Sequence, residues 1–219
     1  MPADTTAVDS WPAIAGTAPT QATAGKRPDY APNGWPGGGP AIEFSGGQAL
    51  EAPTLDLSGT DKLSFIMAGR PDLVAPGIWF EYGNPYYTSK GVIVFSDAAG
   101  MVVGVGGPAT YRISDGPQNG NAVIIAGRYD RTTSTDTIEL WTVTPTSGGP
   151  RQVLSFSGSG DSDSAALAGA GQCWFGSRNN GASIQFDGLL RGSMVWKQWL
   201  DTEDWNAVLR CASWQWGLS

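Results

Sequence analysis

Hydrophobic residues along most of this chain fall into short runs, and glycine, proline, asparagine and aspartate separate one run from the next. Runs with this alternation predict half-buried β-strands. Along residues 137–143, for example, Ile138 and Leu140 share one face, whereas the residues between them point the other way. The runs cover residues 41–45, 62–69, 77–82, 91–96, 101–105, 122–129, 137–143, 151–156, 173–176, 183–186 and 189–197.

The order of these runs predicts an all-β fold of two stacked antiparallel sheets. Residues 91–95 are apolar on both faces, which is typical of a central strand that is covered on both sides. No helical periodicity separates the runs, and this argues against a parallel sheet with crossover helices. A two-sheet sandwich is therefore the architecture that the pattern favours.

One amphipathic helix is predicted near the C-terminus. Asp201 can cap its first turn, and Arg210 is expected in its last turn, where a cation suits the helix dipole. The apolar residues follow helical spacing and form one stripe, which we expect to lie on the sandwich. The stripe consists of Trp205, Val208, Leu209 and Ala212.

The first 40 residues are different, because alanine, threonine, proline and glycine dominate them. Asn33-Gly34 and the three glycines at 37–39 exclude a long helix or a central strand. We therefore divide the chain into an extended arm with loops, residues 1–40, and a β-sandwich with its C-terminal helix, residues 41–219.

Composition narrows the function classes. The chain has 219 residues and a net charge of −7, which argues against nucleic acid and anionic membranes as partners. It contains no histidine, so Ser-His-Asp triads and histidine metal sites are excluded. No apolar run approaches the roughly 18 residues of a membrane span. The first residues do not resemble a secretory signal, and we expect synthesis in a cytosol without export.

The residues that could carry metal or redox chemistry are few. Cys173 and Cys211 are interpreted as reduced thiols that are packed inside the domain. A disulfide between them stays an alternative that needs Cα atoms within about 7 Å. Calcium is an alternative at loop aspartates, but solvated turn residues are the better explanation for them, and we predict no metal site and no cofactor. The aspartates are Asp130, Asp136, Asp161 and Asp163.

Tests for catalytic motifs are negative. Residues 104–109 superficially match a dinucleotide loop, but the strand-like residues 110–113 follow where a helix is required. The Glu-x-Asp-x-x-Glu pattern of sandwich-fold glucanases is absent, and the acidic residues 201–204 are better explained as a helix cap. We expect no catalytic residues and no enzyme activity.

Aromatic residues are the unusual feature, since the chain has ten tryptophans. Exposed rings stack on sugars and anchor protein interfaces, although ordinary burial in a core is the competing explanation for each ring. The candidate contacts with a glycan or another protein are Trp35, Tyr82, Tyr86, Tyr87, Trp214 and Trp216.

Two separated segments resemble concanavalin A-like lectin/glucanase (laminin-G-like) domains of the kind found in bacteriophage virion proteins. The first contains Gln21-Ala22-Thr23, Arg27-Pro28-Asp29-Tyr30, Asn33-Gly34 and Pro40-Ala41-Ile42-Glu43-Phe44-Ser45-Gly46. The second contains Phe186-Asp187-Gly188-Leu189-Leu190, Met194-Val195-Trp196, Leu200-Asp201 and Trp216-Gly217-Leu218.

The resemblance implies an antiparallel jelly-roll sandwich with one C-terminal helix. It implies that Phe44 and Phe186 point inward and that Gly46 and Gly188 make the turns after them. The helix is then expected as a lid on one sheet edge.

Three functions are weighed. The favoured one is a non-enzymatic virion protein, either a capsid decoration or a tail fibre component, that contacts other virion proteins through residues 1–20 and binds cell-surface polysaccharide. This hypothesis includes location in the virion and a homo-oligomer or another multi-copy assembly. The alternatives are a free-standing carbohydrate-binding lectin and, last, a glycoside hydrolase or polysaccharide lyase.

Overall fold

The structure is a computed structural model, and two antiparallel sheets make up most of it. It describes residues 6–7, 18–52, 55–72, 76–83, 91–98, 100–105, 110–113, 120–130, 136–158, 167, 173–178 and 181–218. The strands are β1 Thr6–Ala7, β2 Asp29–Ala31, β3 Ala41–Ser45, β4 Leu50–Glu51, β5 Lys62–Pro71, β6 Gly77–Tyr82, β7 Val92–Asp97, β8 Gly100–Val105, β9 Thr110–Ile113, β10 Val123–Asp130, β11 Asp136–Val143, β12 Arg151–Gly158, β13 Cys173–Phe175 and β14 Asp187–Trp196.

Within the described residues, the larger sheet has eight strands in the order β1-β2-β3-β14-β5-β10-β11-β12. The smaller sheet has six strands in the order β4-β13-β6-β7-β8-β9. The predicted all-β sandwich with a single C-terminal helix is confirmed, and most predicted runs coincide with strands to within two residues. The strand predicted over residues 183–186 is wrong. Only Ser183 makes a bridge there, to Arg178, because Ile184 turns the backbone with a φ of 49°.

The main core lies between the two sheets. Alternation places Ile138 and Leu140 of β11 in it, as predicted, while Trp141 and Val143 point to the other side of the larger sheet. Strand β7 is covered on both faces, since Val92 and Val94 lie in the main core and Ile93 packs on the opposite side. Because one face of each sheet points into this core, the outer faces are left for other roles.

The two expected phenylalanine anchors are confirmed, but one of the expected turns is not. Phe44 and Phe186 are buried in the main core, and their ring centroids lie 6.1 Å apart in an edge-to-face contact. Gly46 makes a turn with a φ of 58°. Gly188 lies inside β14, where a Cβ atom would be 2.1 Å from the carbonyl oxygen of Arg70. Close backbone approach therefore explains the glycine at 188.

Helix α1, Thr202–Gln215, covers the outer face of the larger sheet. The Asp201 side chain caps it by accepting a hydrogen bond of 2.9 Å from the Asp204 amide. Trp205 and Leu209 pack on the central strands of that sheet, so the helix lies on a sheet face and the expected edge position is wrong. Arg210 is not in the last turn, because the helix continues to Gln215.

The N-terminal segment connects the edges of both sheets. The backbones of Thr20 and Glu51 exchange hydrogen bonds of 2.7 and 2.8 Å at the edge of the smaller sheet. Strand β2 then pairs with β3 at the larger sheet. Trp35 is buried under α1 and donates from Nε1 to the carbonyl oxygen of Trp216 at 2.6 Å. Much of the segment predicted as an arm with loops therefore packs on the sandwich.

Two further features concern membrane-spanning helices and the cysteines. Among the described residues, no helix combines the length and apolar character needed to cross a membrane. Cys173 is buried and Cys211 is exposed, and the two thiols are free, which confirms the reduced interpretation. Cys211 is not packed as expected, because it lies on the outward side of α1.

Candidate functional site

The predicted aromatic contacts do not form a common surface. Trp35, Tyr82 and Trp216 are buried inside the domain, so their ring faces are not available to a ligand. Trp214 is 77% exposed on α1. Tyr86 and Tyr87 lie outside the described residues.

A different set of side chains meets on the outer face of the smaller sheet. Glu51 of β4 and Glu81 of β6 both lie opposite Trp174 of β13, and Glu81 lies opposite Ile93 of β7. Residues directly opposite one another on antiparallel strands project to the same face. Glu51, Trp174, Glu81 and Ile93 therefore form one row across the sheet, called here the outer row. Their neighbours in sequence, such as Cys173, point into the main core.

A buried ion pair occupies the middle of the outer row. Glu81 is fully buried, and the side chain of Arg178 is 17% exposed. Arg178 Nε donates to both carboxylate oxygens of Glu81 at 3.0 Å, and its Nη2 lies 2.9 Å from Oε1. A buried carboxylate needs such a partner, because an unpaired charge is strongly disfavoured away from water. Among the described residues, nothing accepts a hydrogen bond from Nη1 of Arg178.

The indole of Trp174 is the second unusual group of the outer row. This residue is 5% exposed, and its Nε1 has no hydrogen-bond partner among the described residues. Buried polar groups are nearly always paired, so an orphaned donor requires an explanation such as a ligand or an ordered water. Trp174 lies opposite Glu81 on the neighbouring strand, so the indole and the Glu81–Arg178 pair belong to the same face of the sheet.

The segment that brings Arg178 to the outer row, of which residues 176–178 and 181–186 are described, is called the arginine loop. Phe186 donates its amide to the carbonyl of Gly176 at 2.7 Å, which closes the base of the loop. Ile184 has a φ of 49°, a left-handed conformation that is strained for a β-branched residue. Its side chain packs on Ile78 and Ile93 of the outer face. Strain of this kind costs about 1–3 kcal/mol and is concentrated at functional sites.

The charges of the described side chains of the outer row and of Arg178 sum to a negative value. The charges of Glu81 and Arg178 cancel, and Glu51, which is partly buried, adds one negative charge. The influence of Glu51 reaches through the sheet: burial raises the pKa of the Cys173 thiol well above its usual range, and the carboxylate of Glu51 raises it further.

A second buried arginine lies on the outer face of the larger sheet. Arg128 donates from Nε to Glu139 at 3.1 Å, from Nη2 to the same oxygen, and from Nη1 to the Leu200 carbonyl at 2.8 Å. Its guanidinium carbon lies 4.5 Å from the ring of Trp199 and 5.5 Å from that of Trp205. The hydrogen bonds and cation–π contacts tie the chain before α1 to the sheet.

The aspartates considered for calcium do not form a metal-binding cluster among the described side chains. No three cysteine, aspartate or glutamate side chains there could hold a metal ion together. Of the loop aspartates, Asp130 is paired with Lys62 at 3.1 Å. The side chain of Asp136 and both residues Asp161 and Asp163 lie outside the described part.

Comparison by sequence gives no relative: no protein-family model matches the chain, and no curated protein matches it. Comparison by structure finds proteins with a similar fold. The CBM40 of the Ruminococcus gnavus IT-sialidase bound to α2,3-sialyllactose has a TM-score of 0.60 and 12% identity, and the match covers 77% of this chain and 95% of that one. A heptameric SAP-like pentraxin from Limulus polyphemus has a TM-score of 0.57 and 14% identity, with 78% and 82% covered.

An enzyme shares the fold as well. A GH54 α-L-arabinofuranosidase has a TM-score of 0.60 and 12% identity, and the match covers 88% of this chain. It spans only 47% of the arabinofuranosidase chain, so less than half of that protein is similar. Together these structures show that the chain has the fold of lectin-like and carbohydrate-binding β-sandwiches.

Proposed function

We propose that this protein is a non-enzymatic, lectin-like module that binds carbohydrate on the outer face of its smaller sheet. One observation carries the proposal: Trp174, whose Nε1 is orphaned, lies opposite Glu81 on the outer row, and Glu81 is held by Arg178, whose Nη1 is unused among the described residues. Sugar-binding sites fix their ligand with a few well-placed polar groups, and the outer row with Arg178 provides two hydrogen-bond donors without a partner among the described residues. The strained arginine loop, which carries Arg178, is a further argument for a site here.

The similar structures support this proposal. The CBM40 structure holds α2,3-sialyllactose, and an arabinofuranosidase structure holds arabinofuranosyl-α-1,2-xylobiose. Those ligands belong to those proteins. They make a glycan the first ligand class to test on the present chain.

The test is a glycan array followed by calorimetry with the full chain and two matched variants. Trp174→Phe keeps an aromatic ring but removes the N–H donor, and we expect it to weaken binding about tenfold, as loss of one hydrogen bond does. Trp214→Phe makes the same change at the exposed indole of α1 and should leave binding unchanged. Absence of binding to every glycan, or equal losses in both variants, would contradict the proposal. Incubation with polysaccharides tests the non-enzymatic assignment, for which no release of shorter sugars is expected.

We also propose, from the sequence resemblance, that the module decorates a bacteriophage particle as a structural or adhesion protein located in the virion. The N-terminal arm is the part proposed to contact other virion proteins. Deleting residues 1–17 removes the two-residue edge strand β1 but keeps the bridge between Thr20 and Glu51, so the sandwich should stay folded with a nearly unchanged melting temperature while incorporation into particles is lost. Unchanged incorporation would contradict this role.

A further inference from the structure

We infer that the outer row selects an uncharged glycan and discriminates against acidic sugars. The inference rests on the proposed carbohydrate-binding function and goes one step further, to the chemical class of the ligand. It also sets this chain apart from the CBM40 structure of the same fold, whose bound α2,3-sialyllactose carries a carboxylate.

The first argument is that the cation of the site is already neutralised. Arg178 Nε and Nη2 face the carboxylate of Glu81, which is fully buried and within 3.0 Å. A guanidinium attracts an anionic ligand mainly through its charge, and a carboxylate at this distance cancels most of that attraction. What remains of Arg178 is a directional donor, Nη1, which suits a hydroxyl oxygen.

The second argument is the charge of the neighbouring side chains. Glu51 flanks Trp174 on the side opposite Glu81, so the described side chains of the outer row and Arg178 sum to one negative charge. The whole chain adds to this field with a net charge of −7. An acidic sugar is therefore repelled, whereas a neutral sugar meets no such barrier.

The third argument is that both unpaired polar groups of the site are hydrogen-bond donors. Trp174 Nε1 can only donate, and the unused Nη1 of Arg178 can only donate. A sugar rich in hydroxyl groups offers oxygen acceptors to both groups without bringing a charge into a poorly hydrated site. Donors without a free positive charge thus favour neutral polyhydroxyl ligands.

The test compares a neutral sugar with the same sugar extended by one acidic residue. Lactose and α2,3-sialyllactose form one such pair, and xylobiose with and without a glucuronic acid substituent forms another. We expect the neutral member to bind about tenfold more tightly. Its affinity should change less than about twofold between about 20 mM and 300 mM salt. Tighter, salt-sensitive binding of the acidic member would overturn the inference and leave carbohydrate binding intact, whereas absence of binding to both members would overturn both.

A charge-changing variant tests the cause. Glu81→Gln releases the charge of Arg178, so the affinity ratio of acidic to neutral sugar should rise about tenfold. Glu139→Gln makes the same change beside the other buried arginine, Arg128, and should leave the ratio unchanged. Glu51→Gln removes the second negative charge from a partly exposed position. It should shift the ratio in the same direction, by about threefold, even if the Glu81 variant fails to fold. An unchanged ratio in the folded variants would overturn the inference.

Discussion

Each sheet carries a buried arginine–glutamate pair beside tryptophan on its outer face, and the two pairs differ in how completely the arginine is used. In the larger sheet, all three guanidinium nitrogens of Arg128 donate, to Glu139 and to the Leu200 carbonyl. In the smaller sheet, Arg178 serves Glu81 alone among the described residues. Helix α1 covers the first pair, whereas Arg178 of the second pair lies in the strained arginine loop.

An orphaned indole alone does not indicate a binding site. Trp205, beside Arg128, also has an Nε1 without a partner among the described residues. That indole packs beneath α1 and against Trp141, with ring centroids 5.0 Å apart, in a cluster dominated by apolar contact. The combination of an unused arginine donor, an orphaned indole and loop strain distinguishes the smaller sheet.

The largest expected effect is a loss of stability at the outer face of the larger sheet, which α1 covers. Trp205→Ala removes a fully buried indole and should lower the free energy of unfolding by about 3–5 kcal/mol. Trp214→Ala, on the exposed side of the same helix, should change it by less than about 0.5 kcal/mol. Urea unfolding measures both values. Similar losses in the two variants would show that the helix does not seal the larger sheet through Trp205.

The two thiols provide the next largest effect. Cys173 lies on the inward side of β13, the strand that carries Trp174, and burial raises its pKa. Because the thiolate is the reactive form, Cys173 should react with a thiol reagent on the order of a hundredfold more slowly than Cys211 in the native protein. Equal rates of labelling, followed by mass spectrometry, would mean that β13 does not orient its side chains as described. Both thiols should react rapidly in denaturant.

Arginine-to-lysine substitutions distinguish the two ion pairs by their effects on stability and on glycan affinity. Arg128→Lys keeps the charge but loses the fork that joins Glu139 to Leu200, and it should cost about 2 kcal/mol of stability with no change in glycan affinity. Arg178→Lys should cost about 1 kcal/mol and weaken glycan binding about tenfold. Calorimetric binding and urea unfolding on both variants test this reciprocal pattern. A loss of affinity in the Arg128 variant would remove the distinction between structural and binding arginine.

The fold could be predicted from the sequence because alternation reports which face of a strand is buried. That is why the runs around Ile138 and in β7 were placed correctly. Trp35 was not, because its glycine-rich surroundings suggest an exposed loop while its indole bonds to a carbonyl 181 positions away. Local pattern cannot anticipate such a contact.

The proposed binding site on the outer row could not be predicted from the sequence for a related reason. Glu51, Glu81 and Trp174 come from three separated segments, and strand register alone makes them neighbours. The sequence does contain one signal: Glu81 is the single charged residue in the otherwise apolar and aromatic strand β6. A charge at such a position needs a partner, but the sequence does not show that Arg178 supplies it.

The smallest expected effect concerns Tyr82, which follows Glu81 on β6 but points into the core and donates its hydroxyl to Asp56 at 3.1 Å. Hydrogen bonds from the Ser58 hydroxyl and amide lower the pKa of Asp56, and the Tyr82 hydroxyl lowers it further. A lowered folded-state pKa adds stability above the unfolded value of about 3.9, and this stability is lost as the pH falls through the folded value. Tyr82→Phe should therefore raise the pKa of Asp56 slightly and flatten the acid side of the stability curve.

Carboxyl NMR titration of Asp56, together with urea unfolding between about pH 2 and pH 5, measures this change. Tyr30→Phe, at a tyrosine 40% exposed on β2, is the matched control and should leave the titration unaltered. Because the Tyr82 ring faces the core, glycan affinity should stay at the wild-type value. Weaker glycan binding in the Tyr82 variant would mean that the inner side of β6 contributes to recognition, and the contrast between the two faces of that strand would no longer hold.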